Sequence, residues 1–128
     1  MVLVDENGNK HYEDNFDMNG EAVFSFTIER IPQLITSCLE KNQIEKEAVD
    51  YYVFHQANRY MLNTLRKINK LPKDGFFVDL SDTGNTTSTT VPIGLVKSLE
   101  NGNIHKDMNV MVAGFGIGLS WAATILKF

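Results

Sequence analysis

The 128-residue sequence has a single cysteine, Cys38, three prolines and one tryptophan. One cysteine excludes an internal disulfide framework and a cysteine-based zinc site. No apolar run approaches the ~20 residues that a membrane helix needs, so no membrane partner is expected. The opening residues, Met1-Val2-Leu3-Val4-Asp5-Glu6, carry neither a basic segment nor a long apolar one, so no signal peptide is expected. Basic charge is scarce too: Lys plus Arg total 12 against 16 Asp plus Glu, for a net charge of −4. That balance, with no basic run, argues against nucleic-acid binding. Tandem repeats and low-complexity tracts are absent. What remains is 43% hydrophobic and 22% charged, ordinary for a soluble globular chain. Its length fits about one domain. The expectation is a cytoplasmic α/β domain.

Val2-Leu3-Val4 reads as a short strand, and Asn7-Gly8 as a tight hairpin turn. Phe24, Ile28, Ile31, Ile35 and Cys38 step by four, three, four and three, which puts them on one face of a helix over 22–42. Pro32 should kink that helix or mark its true start. Tyr51 to Phe54 has no polar alternation, as expected of a strand covered on both faces. Asn58 can cap the following helix, whose apolar face is Met61, Leu62, Leu65 and Ile68. Phe76 to Leu80 reads as the next strand. Residues 81–88 form a loop dense in hydrogen-bonding side chains. Val91, Leu95, Val96 and Leu99 make a third helix with Pro92 in its first turn. Two apolar strands, Asn109 to Phe115 and Leu119 to Leu126, flank the turn Gly116-Ile117-Gly118. Strands separated by helices imply a mainly parallel sheet, and the final pair adds an antiparallel strand.

Three segments combine polar and glycine residues directly after strands: His55-Gln56-Ala57-Asn58, Gly84-Asn85-Thr86 and Gly114-Phe115-Gly116-Ile117-Gly118. Ligands gather beyond the carboxyl ends of parallel strands, so the three segments can meet in one pocket. An imidazole such as that of His55 can donate, accept or shuttle a proton near neutral pH, although a strand-end histidine is also a common structural hydrogen-bonder. Asn85 fits a turn that bonds its own backbone, or a carboxamide donor aimed at a carbonyl oxygen. The glycines fit tight turning, or close approach of a backbone N–H to a reacting oxygen. Their spacing is not that of a dinucleotide fingerprint. Cys38 lies on an apolar helix stripe, where free cysteine behaves as a small hydrophobe. His11 and His105 are expected in polar, solvated turns. Asp5, Glu6, Glu13, Asp14 and Asp17 are expected to form a solvated face rather than a metal site.

Together, His55-Gln56-Ala57-Asn58, Gly84-Asn85-Thr86 placed with His55 and Asn85 thirty residues apart, Val91-Pro92 opening a helix, and the run from Gly114 to Ala123 form an ordered set. With Met18 to Phe24 upstream, this set closely resembles the C-terminal half of β-ketoacyl-acyl-carrier-protein synthase III, a thiolase-fold condensing enzyme, over residues 18–128. The resemblance implies a thiolase-like half-domain, a mixed and mostly parallel sheet covered by helices, with residues 1–17 as a connecting segment. It implies decarboxylative condensation of an acyl group from acyl-CoA with malonyl-acyl-carrier protein in fatty-acid biosynthesis, with no cofactor. The family nucleophile is a cysteine of an N-terminal half that this chain lacks; Cys38 does not match it. By motif His55 and Asn85 are the catalytic pair. Ile117, between Gly116 and Gly118, supplies a backbone oxyanion donor. Asn58 and Phe115 touch substrate, and Arg59 contacts the carrier protein. Partners implied are the acyl-carrier protein, a coenzyme A thioester, the chain's own N-terminal half and a second copy in a homodimer. Three departures stand out. Ile117 replaces a frequent third glycine, Glu21 replaces an asparagine near the pantetheine, and Arg59 comes one place early. Alternatives are a non-catalytic partner or dimerisation module, or a condensing enzyme of specialised-metabolite or polysaccharide synthesis.

Overall fold

The computed structural model describes residues 2–12 and 18–128. Strands β1 (Val2–Val4) and β2 (Lys10–Tyr12) pair antiparallel with Val4 opposite Lys10. Gly8 turns the chain between them at φ +81°, backbone that glycine adopts without steric cost. The Asp5 carboxylate accepts the N–H groups of Asn7 and Asn9 at 2.9 and 2.8 Å. Asp5 thus braces the hairpin while remaining partly exposed. His11 belongs to β2, not to a turn. The face expected at Glu13, Asp14 and Asp17 lies outside the described residues.

Helix α1 (Gly20–Asn42) begins where Asn19 Oδ1 accepts the Ala22 N–H at 3.0 Å, satisfying one of the helix's orphan donors. Its buried face is Thr27, Ile31, Ile35 and Cys38. Pro32 does not mark the start; the helix is continuous through it. Strand β3 (Tyr51–Phe54) is buried at all four positions, as its unbroken apolar run requires. Helix α2 (Arg59–Ile68) is capped by Asn58, whose Oδ1 accepts the Met61 N–H at 2.8 Å. Met61, Leu62 and Leu65 are buried, but Ile68 is exposed. The chain turns through Lys70 at φ 52°, and Leu71 takes the buried place instead.

The strand expected over 76–80 is reduced to one parallel bridge, Phe76 with Tyr52. Beyond Phe77 the segment pairs with a side chain rather than with backbone, as described below. Helix α3 (Thr90–Glu100) holds Pro92 in its first turn and buries Thr90, Gly94 and Ser98. Small residues face the sheet because the approach is close: a Cβ at Gly94 would lie 2.8 Å from Val53 Cγ1 and 3.0 Å from Phe77 Cε1. The larger Val96 and Leu99 face outward.

Strand β4 (Asn109–Gly116) runs parallel to β3, with Phe54 opposite Ala113. Strand β5 (Ser120–Lys127) pairs antiparallel to β4, from Asn109 opposite Lys127 to Gly116 opposite Ser120. The sheet is therefore mixed, in the order β3-β4-β5, with the Phe76 bridge on the far edge of β3. Alternation along the strands divides the core between two faces. Tyr52, Phe54 and Met111 pack with Ile31, Leu62 and Leu65 of α1 and α2. Tyr51, Val53 and Val110 pack on the other face with Phe77 and Val91.

An ion cluster ties the 79–82 segment to α3. Lys97 Nζ donates to Asp79 Oδ2 at 2.9 Å and to Asp82 Oδ1 at 2.7 Å. The hydrogen bond from Lys97, joined by those from Ser81, lowers the Asp79 carboxyl from 3.8 to about 2. A carboxylate whose folded pKa is depressed adds stability that is present above its unfolded pKa and lost as pH falls through the folded one. Melting temperatures taken from pH ~4 down to ~2 should therefore fall more steeply for wild type than for Asp79→Asn. The difference should be modest, because the pair is partly solvent-screened. Parallel curves would show that Asp79 contributes nothing.

Candidate active site

Parallel pairing sends β3 and β4 out of the sheet at the same end, so the residues after Phe54 and those closing β4 emerge together. A cleft of about 1040 Å³ opens there, lined by His55, Asn58, Asn85, Phe115, Gly116 and Ile117, with α1 and α2 contributing Val23, Thr27 and Met61. This is the place where open α/β sheets collect ligands.

His55 prolongs the β3–β4 ladder by one residue, its N–H donating to Ala113 O at 2.8 Å. That bond fixes where the side chain leaves the backbone. Phe115 meets the imidazole edge to face, with ring centroids 5.4 Å apart at 86°. Ring Nδ1 lies 2.7 Å from Thr90 Oγ1. Burial lowers the His55 pKa, with the Thr87 carbonyl opposing. The ring is therefore mainly neutral at pH 7.

Asn85 arrives on the loop before α3. Its Oδ1 accepts the Thr87 N–H at 2.9 Å, so the carboxamide oxygen is engaged locally and the NH₂ is left as the outward donor. The turn reading and the donor reading of Asn85 thus describe one geometry. Thr87 is held at φ 57°, a left-handed conformation that costs a β-branched residue about 1–3 kcal/mol. This places its two backbone groups on two neighbours. The N–H orients Asn85, and the carbonyl accepts the Thr90 hydroxyl at 2.9 Å. One chain of contacts, Asn85–Thr87–Thr90–His55, therefore joins the imidazole to the carboxamide. Sequence reasoning missed Thr87 and Thr90; the only signal was the density of hydroxyls in 81–90.

Gln56 was also missed. It is 2% exposed. Its Nε2 donates to Phe54 O at 2.8 Å and to Phe77 O at 3.2 Å, and its Oε1 accepts the Asp79 N–H at 3.1 Å. On the same edge, Tyr52 N–H donates to Gly75 O and Phe77 N–H to Tyr52 O. The carboxamide thus imitates the next peptide of the ladder. It carries the 76–80 segment past the end of β3 and positions the loop that delivers Asn85.

At the opposite wall, the turn after β4 passes through Gly118 at φ 87° and Leu119 at φ 45°. Gly116 and Ile117 line the cleft; Gly118 is not among the lining residues. A Cβ at Gly114 or Gly116 would meet nothing within 4 Å, so both glycines leave space in the cleft. Asn58 lines the cleft while capping α2. Arg59, the first residue of α2, and Glu21, in the first turn of α1, are exposed and outside the lining. Cys38 is buried in the face of α1, where desolvation raises its thiol pKa against the opposing charge of Lys41. A thiol so placed is a poor nucleophile. His105 is exposed in the turn after α3. Among the described residues no group of three His, Cys, Asp or Glu could hold a metal ion, and no helix is long and apolar enough to cross a membrane.

Residues 39–128 match the family described as 3-oxoacyl-[acyl-carrier-protein] synthase III C terminal. The chain belongs to this family. The synthase III C-terminal chain is 34% identical over 122 residues to the β-ketoacyl-acyl-carrier-protein synthase III of Clostridium perfringens, covering 95% of itself and 38% of that relative. It is 36% identical over 127 residues to that of Geobacillus kaustophilus, covering 98% and 41%. A 2.1 Å crystal structure of a 3-oxoacyl-(acyl-carrier-protein) synthase III superposes with TM-score 0.93 at 36% identity, covering 100% of this chain and 38% of that one. The Thermus thermophilus enzyme superposes with TM-score 0.87 at 26% identity, covering 99% and 41%. The fold is the expected thiolase-like α/β half, with helices on both faces of a mixed sheet. The chain spans about two-fifths of the length of these relatives.

Proposed function

We propose that the chain is the C-terminal half of a 3-oxoacyl-acyl-carrier-protein synthase III of fatty-acid biosynthesis. It joins an acyl group from acyl-CoA to malonyl-acyl-carrier protein with loss of CO₂. The observation that carries this reading is the contact chain that holds His55 and Asn85 at one cleft, opposite the Ile117 turn. In the reaction a cysteine thiolate of the upstream half takes the acyl group, splitting one hard step into two. Loss of CO₂ from the malonyl thioester leaves negative charge on the thioester oxygen, and His55 and Asn85 stabilise it. The carbanion attacks the acyl-cysteine, and the Ile117 N–H faces the new oxyanion. Such donors are preorganised, so they cost no reorganisation as charge develops.

Asn58 and Phe115 contact substrate, and Arg59 meets the acidic carrier protein. The enzyme works as a cytoplasmic homodimer without cofactor. Exposed Val96 and Leu99 support a further half docking over α3. The test is product formation from acyl-CoA and malonyl-acyl-carrier protein. The full-length polypeptide should yield the 3-oxoacyl product, and the 128-residue chain alone should yield none. Mass spectrometry of the chain after incubation with acetyl-CoA should find Cys38 unmodified. A stoichiometric thioester on Cys38 would overturn the assignment of the nucleophile to the upstream half.

A further inference from the structure

The turn that closes β4 carries one large side chain among glycines. Ile117 stands between Gly116 and Gly118, and a Cβ at either glycine would meet nothing within 4 Å. Ile117 lines the cleft and is 64% exposed. It belongs to neither core cluster of the described residues, so packing within this chain does not account for it. Nor does the turn: Gly118 and Leu119 take the left-handed backbone, and Ile117 is not among the residues at positive φ. Isoleucine branches at Cβ, which leaves χ1 stiff, so its two γ carbons stay close to the residue's own backbone.

In the proposed reaction the Ile117 N–H faces the oxygen of the acyl carbonyl under attack. An oxygen bonded to that N–H brings the carbon next to the carbonyl up against the Cβ branch of the same residue. A straight acyl group continues from that carbon with one further carbon; a branched one continues with two, and the second meets the γ carbons. We infer that the Ile117 side chain is a specificity-determining group: its Cβ branch admits acyl groups that are straight beside the carbonyl and excludes those branched there. The inference rests on the proposed function, which puts the acyl carbonyl at this N–H. Backbone and side chain of one residue then divide two tasks, and a substitution of the side chain leaves the N–H donor in place.

The experiment is competition between butanoyl-CoA and isobutanoyl-CoA for the full-length polypeptide, with malonyl-acyl-carrier protein as second substrate. The two thioesters are isomers and differ in shape alone. Both compete in one sample, so any loss of folded enzyme cancels from the product ratio. Wild type should favour the straight product about tenfold or more, the worth of one misplaced carbon in a fitted pocket. Ile117→Val, which keeps the branch at Cβ, should hold that ratio. Ile117→Ala should lose most of it, and so should Ile117→Leu, which keeps the bulk but moves the branch to Cγ. A wild type without preference, or an Ile117→Ala that keeps the preference, would overturn the inference. An Ile117→Leu as selective as wild type would overturn the assignment to the Cβ branch. A lower unfolding midpoint for Ile117→Ala at unchanged selectivity would assign the side chain to packing and overturn it as well. No 3-oxoacyl product from these thioesters or from acetyl-CoA would defeat the proposed function; product formed without selection would defeat this inference alone.

Discussion

Alanine at His55 or at Asn85 lowers the condensation rate of the full-length enzyme about 10²–10³-fold each, the usual cost of losing one preorganised donor to a developing oxyanion. Both side chains line the cleft, so the loss falls on the reaction. The measurement is kcat with malonyl-acyl-carrier protein, beside a melting curve. His55→Ala should leave the fold near wild type, because the residue's ladder bond is made by its backbone. Asn85→Ala should lose only the local bond to Thr87. The double variant should lose less than the product of the single losses, since groups that act as a unit are not additive. A rate within threefold of wild type for either single variant would remove that residue from the machinery.

Gln56→Leu should be the most damaging single change near the site for stability. Leucine preserves bulk but leaves Phe54 O, Phe77 O and the Asp79 N–H without their partner. Each buried backbone group so orphaned costs about 1–3 kcal/mol, and a total of about 3 kcal/mol or more is expected. Denaturant unfolding should show it as a lower midpoint. Because the 76–80 segment leads into the Asn85 loop, activity measured well below the melting temperature should fall as well. A midpoint equal to wild type would mean that water or a shifted backbone replaces the carboxamide.

The elements whose burial follows from hydrophobicity were legible before any coordinates. The three-and-four spacing from Phe24 to Cys38, the unbroken Tyr51–Phe54 run, the Asn58 cap and the Asn7-Gly8 turn each state their structure locally. Three features resisted because their cause is not local. Phe76–Leu80 has strand composition, yet its partner beyond Phe77 is the side chain of Gln56, and no periodicity encodes that. The buried stripe of α3 is Thr90, Gly94 and Ser98, chosen by how closely the helix approaches Val53 and Phe77, while the apolar Val96 and Leu99 face outward. Ile68 follows helical spacing, but it sits where the chain turns away. At the cleft, motif order pointed to His55, Asn85 and the glycine turn. The groups that orient them, Thr87 with its left-handed backbone and Thr90 between Thr87 O and His55 Nδ1, are defined only by geometry.

The central claim is that one oxygen atom can be held by both the imidazole and the carboxamide. The most direct measurement is a crystal structure of the full-length enzyme with an unreactive malonyl-thioester analogue in the cleft. The account predicts the carbonyl oxygen of the analogue about 2.7–3.1 Å from both His55 Nε2 and Asn85 Nδ2. An oxygen that reaches one of these nitrogens while the other points elsewhere would contradict it.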